Sequence, residues 1–308
     1  MRQGAARRGW FAWVGAIAFC MASTAWAQVT VTITGNQALA QISLPNGGGS
    51  IDADVTITFD SPVNLSADEL NLTAQLVSPT DPALVSRLPS CLVACVTIDP
   101  AFPLLITVEP LEVPWLFRSG FESDDPVAGN LQFLNTYEFE IHTAAIDCSA
   151  TGAGAPCPTT TYRLFKAPVG GAFTDYTSEI VKGSVRARGR GGAFSQFLIV
   201  RDTRPTLVVE LQKDLALQAR ILAAVLNSTL QGDLLGLLAD VQIALLVNLD
   251  TVAAIAKLDA LIAEIQANAG ITIANRWTSD HSVVNDAGEM ESLAQTLRYT
   301  LLRLQDGN

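Results

Sequence analysis

The chain has 308 residues, 19 of them basic and 30 acidic, and is 49% hydrophobic and 16% charged. A formal net charge of −11 repels phosphate backbones and anionic lipid, which argues against nucleic-acid binding and electrostatic membrane docking. The apolar content excludes a disordered tail, and the length suits one large or two modest domains.

The amino terminus reads as an export signal. Arg2, Arg7 and Arg8 precede an apolar run from Trp10 to Ala18, and Ala25-Trp26-Ala27 offers a small-residue cleavage site before Gln28. This order defines a secretory signal peptide over residues 1–27. The run is shorter than the roughly 20 apolar residues of a membrane span. Phe19 precedes Cys20 where a lipoprotein signal needs a small residue, and Ala6 and Gly9 do little to extend a twin-arginine match around Arg7-Arg8. The expectation is a protein of the periplasm, cell surface or extracellular space. Cleavage after Ala27 removes three arginines and no acid, leaving 16 basic against 30 acidic residues, a net charge of about −14.

Residues 28–205 alternate in polarity. Val29, Val31 and Ile33 begin the pattern, and Ile51, Ala53, Val55, Ile57 and Phe59 interleave with Asp52, Asp54, Thr56, Thr58 and Asp60, giving one dry and one wet strand face. Tyr137, Phe139 and Ile141 repeat it. Turn signals stand between such runs: PNGGGS from Pro45, SPTDP from Ser78, SDDPVAGN from Ser123, and Gly170-Gly171. About nine short strands of this kind predict an antiparallel β-sandwich, immunoglobulin-like by its length. Four cysteines fall here, Cys91, Cys95, Cys148 and Cys157. They allow three pairings. The local pairs, Cys91 with Cys95 and Cys148 with Cys157, are favoured because each brackets a segment that turns back on itself. A zinc site is the alternative, but the spacings fit it poorly and export favours oxidation.

Residues 206–308 carry helical spacing instead. Stretches Leu207 to Leu226, Leu234 to Asn248, Thr251 to Asn268 and Gly288 to Leu304 predict four amphipathic helices in an antiparallel bundle, so that the fold class is α+β. In the third, Val252, Ile255, Leu258, Ile262 and Ile265 form the stripe; in the fourth, Met290, Leu293, Leu297 and Leu304 do. Asp233, and Asp250 or Thr251, are the expected N-caps. Asp233, Asp240 and Asp250 are expected to break the most apolar region before it reaches bilayer length. The run LLGLLADVQIALLVNLDTVAAIAKLDALIAEIQANAG resembles the small Leu/Ala-rich helical modules that end secreted bacterial proteins, with Asp250 in place of that pattern's asparagine and Leu261 in place of its aromatic residue. The stretch YRLFKAPVGGAFTDYTSEIVKGSVRARGRGGAFSQFLIVRDTRP resembles an uncharacterised family of exported bacterial proteins. Such a family implies an architecture and no catalytic residues.

Candidate sites are few. His142 and His281 are the only histidines. Ser279-Asp280-His281-Ser282 is too local to converge as a Ser-His-Asp triad, and reads as a cap in which Asp280 or Ser282 starts the last helix with His281 exposed. No nucleophile elbow, zincin or phosphate-loop motif is present. Glu138, Glu140 and His142 share a strand face, which solvation explains without a metal. Lys182, Arg186, Arg188 and Arg190 also share one face. They could bind an acidic glycan or the carboxylates of another exported protein, or neutralise Glu138 and Glu140 across strands. Trp277 is expected to plug the helical core. The resulting expectation is an exported non-catalytic interaction or structural module without cofactor or metal. The alternatives are a secreted hydrolase that attacks polysaccharide or peptide through carboxylates, and a protein that holds a small apolar ligand between the two halves.

Overall fold

In the computed structural model, residues 28–91, 94–110, 130–147, 160–181 and 183–307 are described. The expected leader, Cys148, Cys157 and Lys182 lie outside them. The described residues form an α+β fold of two antiparallel sheets with most of the helices toward the carboxy terminus.

The first sheet begins as a meander of β1 (Gln28–Thr34), β2 (Gln37–Asn46) and β3 (Gly49–Val63), followed in space by β7 (Gln132–Asp147), β11 (Ser184–Gly191) and β10 (Glu179–Val181). Gly47 and Gly48, at φ 55° and 105°, make the β2–β3 turn. Two consecutive positive φ angles close such a two-residue hairpin loop, which is why glycines stand there. The alternation read from the sequence holds: Ile51, Ala53, Val55, Ile57 and Phe59 of β3 are buried, and Tyr137, Phe139 and Ile141 of β7 join them.

The second sheet runs β4 (Leu72–Leu76), β6 (Leu104–Val108), β12 (Gln196–Asp202), β8 (Tyr162–Ala167) and β9 (Thr174–Asp175), and β5 (Val96–Ile98) also pairs with β12. Both sheets contribute to one apolar cluster. Phe139 of the first stacks on Phe197 of the second at 3.8 Å between ring centroids. The continuous apolar run of β12 has a physical reason. Phe197 and Ile199 enter the core between the sheets, which Leu70 of the short helix α1 (Ala67–Leu70) also joins, while Leu198 and Val200 enter a separate cluster with Leu84 of the short helix α2 (Pro82–Val85) and Leu88 just after it. Beside β5, Cys91 and Cys95 form a disulfide with 6.1 Å between their Cα atoms.

Four long helices follow: α3 (Thr206–Ala223), α4 (Ser228–Gln242), α5 (Thr251–Asn268) and α6 (Asp286–Gln305). They share a second apolar cluster that includes Leu217, Leu234, Leu258, Ile265 and Leu297. Three sequence expectations are corrected here. Asn227 rather than Asp233 caps α4, accepting from the Leu230 amide at 2.8 Å, so the helix begins earlier and Asp233 lies within it. Asn285 rather than Asp280 or Ser282 caps α6, accepting from Gly288 N at 2.9 Å. Asp280 instead closes a local turn with the Ser282 amide, leaving His281 exposed. In α5, Val252 faces outward and Ala254 and Leu261 take buried places. The Asp250 cap of α5 is as expected, accepting from Ala253 N at 2.9 Å.

The helices and the first sheet share an extensive contact. Strand β13 (Arg276–Thr278) pairs with the start of β7. Trp277 therefore stacks on Phe133 at 5.2 Å and meets Phe194 edge-on, within the core between the sheets and not in the helical core. Beside it the amino-terminal turn of α6 lies backbone to backbone on the sheet. A Cβ on Gly288 would strike the Asn135 carbonyl oxygen, and one on Gly192 would strike Gly288 and Glu289. The Asn285 amide group donates to the carbonyls of Asn135 and Gly192 at 2.6 and 3.1 Å. Lys213 of α3 reaches Asp175 of β9 at 2.8 Å, with both side chains buried.

Candidate functional site

Cross-strand register turns the outer face of the first sheet into a charge ladder. Arg186 stands opposite His142, Arg188 opposite Glu140 and Arg190 opposite Glu138, while on the other side of β7 Asp54 faces His142. Arg186 lies 3.4 Å from Glu140, and Arg188 forks between Glu140 and Glu179, 2.7 Å from the latter. Glu140 is one of the less exposed members, with 12% of its side chain accessible. Burial opposes the Arg188 charge, but its hydrogen bonds to Glu140 and Glu179 prevail and raise its pKa above the ordinary value. The arginines are thus engaged by carboxylates of their own sheet, the internal pairing considered from the sequence. Opposite-charge cross-strand pairs of this kind stabilise a sheet by about 0.2–1 kcal/mol each.

Arg190 sits at the centre of a wider group. Its guanidinium lies 3.9 Å from each of Asp60, Glu138 and Glu291 and donates to the Thr136 hydroxyl at 3.0 Å. Glu291 comes from α6, 6% exposed, and accepts from Gln266 of α5 at 3.0 Å. Burial raises the Glu291 pKa above the ordinary glutamate value, against the lowering effects of Gln266 and Arg190. Three carboxylates round one guanidinium need no metal, because the arginine supplies the charge. Among the described residues no group of three or more His, Cys, Asp or Glu is arranged to hold an ion.

Between β10, β11 and α6 opens a cleft of about 630 Å³, lined by Glu138, Glu179, Arg188, Arg190, Glu291 and Arg303 among others. A smaller hollow of about 230 Å³ shares Arg190, Gln266 and Glu291 with it. So charged a lining suits a polar ligand and does not suit the small apolar ligand considered from the sequence.

One constellation escaped the sequence reading. His142 Nε2 is 2.9 Å from Ser184 Oγ, and its Nδ1 is 3.6 Å from Asp54 Oδ2. Serine, histidine and aspartate thus stand in the order of a nucleophilic triad on β11, β7 and β3. Asp54 and His142 line a shallow hollow of about 460 Å³. The 3.6 Å separation exceeds a hydrogen bond, and the Asp54 side chain is 49% exposed. The signal that could have found it is the alternation itself, which puts Asp54 and His142 on outer faces. The β-bulge between Ser184 and Val185 then shifts the serine within reach, and no local pattern announces it.

The helical layer has an outer apolar surface. Leu207, Leu211, Leu215 and Leu222 of α3 are exposed. So are Ile243, Leu246 and Val247 in the π turn Ile243–Val247 that continues α4, and Leu249 and Val252 after it. Gln242 donates to Asp214, which sets the π turn beside the first half of α3. Ser228–Val247 is long and apolar enough to cross a membrane by length and composition alone, at mean hydropathy 1.6 with a third of it buried. The expectation that aspartates interrupt this run fails because Asp250 lies beyond it, leaving only Asp233 and Asp240 inside. In this fold the same helix gives Leu230, Leu234, Leu238 and Val241 to the helical core.

No curated protein and no solved structure matches the chain. Residues 15–305, nearly the whole length and both structural halves, match a family of unknown function, DUF6689, and the chain belongs to that family.

Proposed function

We propose that the protein is an exported, non-catalytic interaction module that docks another exported protein on the outer face of α3, the π turn and the start of α5. The observation that carries this reading is the double apolar character of α3. Val209, Leu217 and Ile221 are buried, while Leu207, Leu211, Leu215 and Leu222, four, four and seven residues apart, remain in water. A helix on a core needs one apolar stripe. A second, continuous with exposed residues of a neighbouring turn, is the signature of an interaction surface. Asp233 on α4 and the cap residue Asp250 before α5 are exposed, so the fitting partner surface is apolar and basic. The net charge disfavours an anionic membrane in the same place.

Export belongs to the reading. Its support is the order of basic, apolar and small residues before Gln28, together with the resemblance of the middle of the chain to exported bacterial proteins. A second disulfide, Cys148 with Cys157, is part of it, as is a boundary near residue 205 between an immunoglobulin-like sandwich and a four-helix bundle. The core shared by the two sheets favours a sandwich, although the β1-β2-β3 meander departs from Greek-key connections. In the test, Leu211→Lys with Leu215→Lys is expected to leave the melting temperature within about 2 °C, while a discrete formaldehyde-crosslinked species in the native cell disappears. Loss of fold, or an unchanged species, would contradict the docking face.

A secreted hydrolase is the second reading, favoured by Ser184, His142 and Asp54. A fluorophosphonate probe labels an activated serine. Labelling that vanishes in both Ser184→Ala and His142→Ala would support the hydrolase over the module.

A further inference from the structure

Two residues that line the cleft between β10, β11 and α6, and a third packed behind them, carry hydrogen-bond donors with no acceptor. They are the Tyr299 hydroxyl, Nε of Arg303 and Nη2 of Arg163. Tyr299 and Arg303 line the cleft, and the Arg163 guanidinium lies over the Tyr299 ring at 5.6 Å. Arg163 is 1% exposed and Tyr299 9%. The other end of the Arg163 fork donates only to the carbonyls of Thr160 and Tyr162. The carboxylates nearby already have partners: Asp175 has Lys213 at 2.8 Å, Asp202 has Arg204 at 2.6 Å, Asp99 has Arg201 at 2.7 Å and Glu179 has Arg188 at 2.7 Å. The Arg163 guanidinium thus has only Asp175, shared with Lys213, as an opposing charge, while the buried Tyr299 hydroxyl and Nε of half-buried Arg303 have no acceptor among the described residues. An unmatched buried donor costs about 1–3 kcal/mol, and an unmatched charge more. Burial first, and the like charge of Arg163 next, pull the Arg303 pKa below its ordinary value. An anion arriving in the cleft would offer an acceptor to the Tyr299 hydroxyl and to Arg303, the two that line it.

We propose that this cleft binds a small hydroxylated monocarboxylate, its carboxylate held by the Arg303 fork and the Tyr299 hydroxyl, with Arg163 behind the ring completing the positive field. Planar, bidentate contact favours a carboxylate for an arginine fork. Glu138, Glu179 and Glu291 line the same cleft, which selects against a second negative charge on the ligand and offers acceptors for its hydroxyl groups. A volume of about 630 Å³ lies within the usual span of small-molecule sites. The proposal goes beyond the docking reading and uses other elements, so either can fail alone.

The test is calorimetric titration of the mature chain with D-glucuronate, with D-glucose as the neutral probe and inorganic phosphate as the dianionic one. Glucuronate is expected to bind and glucose not to. Arg303→Met lowers glucuronate affinity about tenfold or more, and Tyr299→Phe about fivefold. Arg303→Met is expected to melt within about 2 °C of the unsubstituted protein, because the half-buried side chain makes no ion pair among the described residues. Should that variant not fold, Arg303→Lys keeps the charge without the fork and is expected to weaken binding by a smaller factor. Absence of glucuronate binding, binding unchanged in the Arg303 and Tyr299 variants, or phosphate preferred over glucuronate would each overturn the proposal.

Discussion

Glu210→Gln is expected to stabilise the protein at pH 8 and to change little at pH 4. Glu210 and Asp214 lie one turn apart on the inner side of α3, each 1% exposed. Oε2 of the first and Oδ1 of the second have no hydrogen-bond partner, and Gln242 serves the other Asp214 oxygen. Burial first, and the neighbouring Asp214 charge second, raise the Glu210 pKa from 4.5 to about 7. The folded protein therefore keeps a proton that the unfolded chain has released above pH 4.5. Stability contributed by this group is present below that value and is lost as pH rises toward 7, in total about 3 kcal/mol. Glutamine mimics the protonated acid at every pH. Urea unfolding at pH 4 and pH 8 reads the difference directly, and the variant's gain should appear only at the higher pH. Asp214, also raised by burial, keeps part of the slope. Equal stability of the two proteins at pH 8, or a gain of the same size at pH 4, would refute the account of this pair.

The remaining predictions concern the packing between the halves and the disulfide. Asp175→Asn leaves Lys213 and Arg163 without their shared carboxylate, and denaturant unfolding is expected to show a loss of about 3–5 kcal/mol. Gly288→Ala sets a methyl group against the Asn135 carbonyl. It should lower the melting temperature far more than Gly236→Ala, where a Cβ meets nothing within 4 Å, the change by which calorimetry can compare them. Unreduced peptide mapping should recover Cys91 joined to Cys95, and Cys91→Ser with Cys95→Ser should cost roughly 2 kcal/mol by the loop-entropy relation. Free thiols at both positions, or no change in stability, would remove the bond from the account.

Much of the architecture was legible because burial has a period. The alternating run in β3 and the helical spacing of α5, whose observed bounds Thr251–Asn268 are those read from the sequence, each report one dry face. What escaped depends on contacts far apart along the chain. Trp277 reads as a helical-core residue until β13 is seen to pair with β7, and pairing of a three-residue strand leaves no pattern. Twelve strands are described over residues 28–205, where the sequence predicts about nine, since short ones such as β9 and β10 are too brief to show alternation. The arginine row was visible as a row, yet its partners Glu179 and Glu291 come from β10 and α6. Tyr299 and Arg303 sit on α6 among residues read only for their apolar stripe, so the cleft that they line had no sequence signal.

The claim that the outer helical face docks a protein is tested most directly by site-specific photocrosslinking in the native cell. A photoreactive residue at Leu215 or Val247 is expected to give one adduct of the same partner mass, and one at Thr56, on the outer face of the first sheet, to give none. Adducts from Thr56 and none from Leu215 or Val247, or no adduct from any position, would contradict the account.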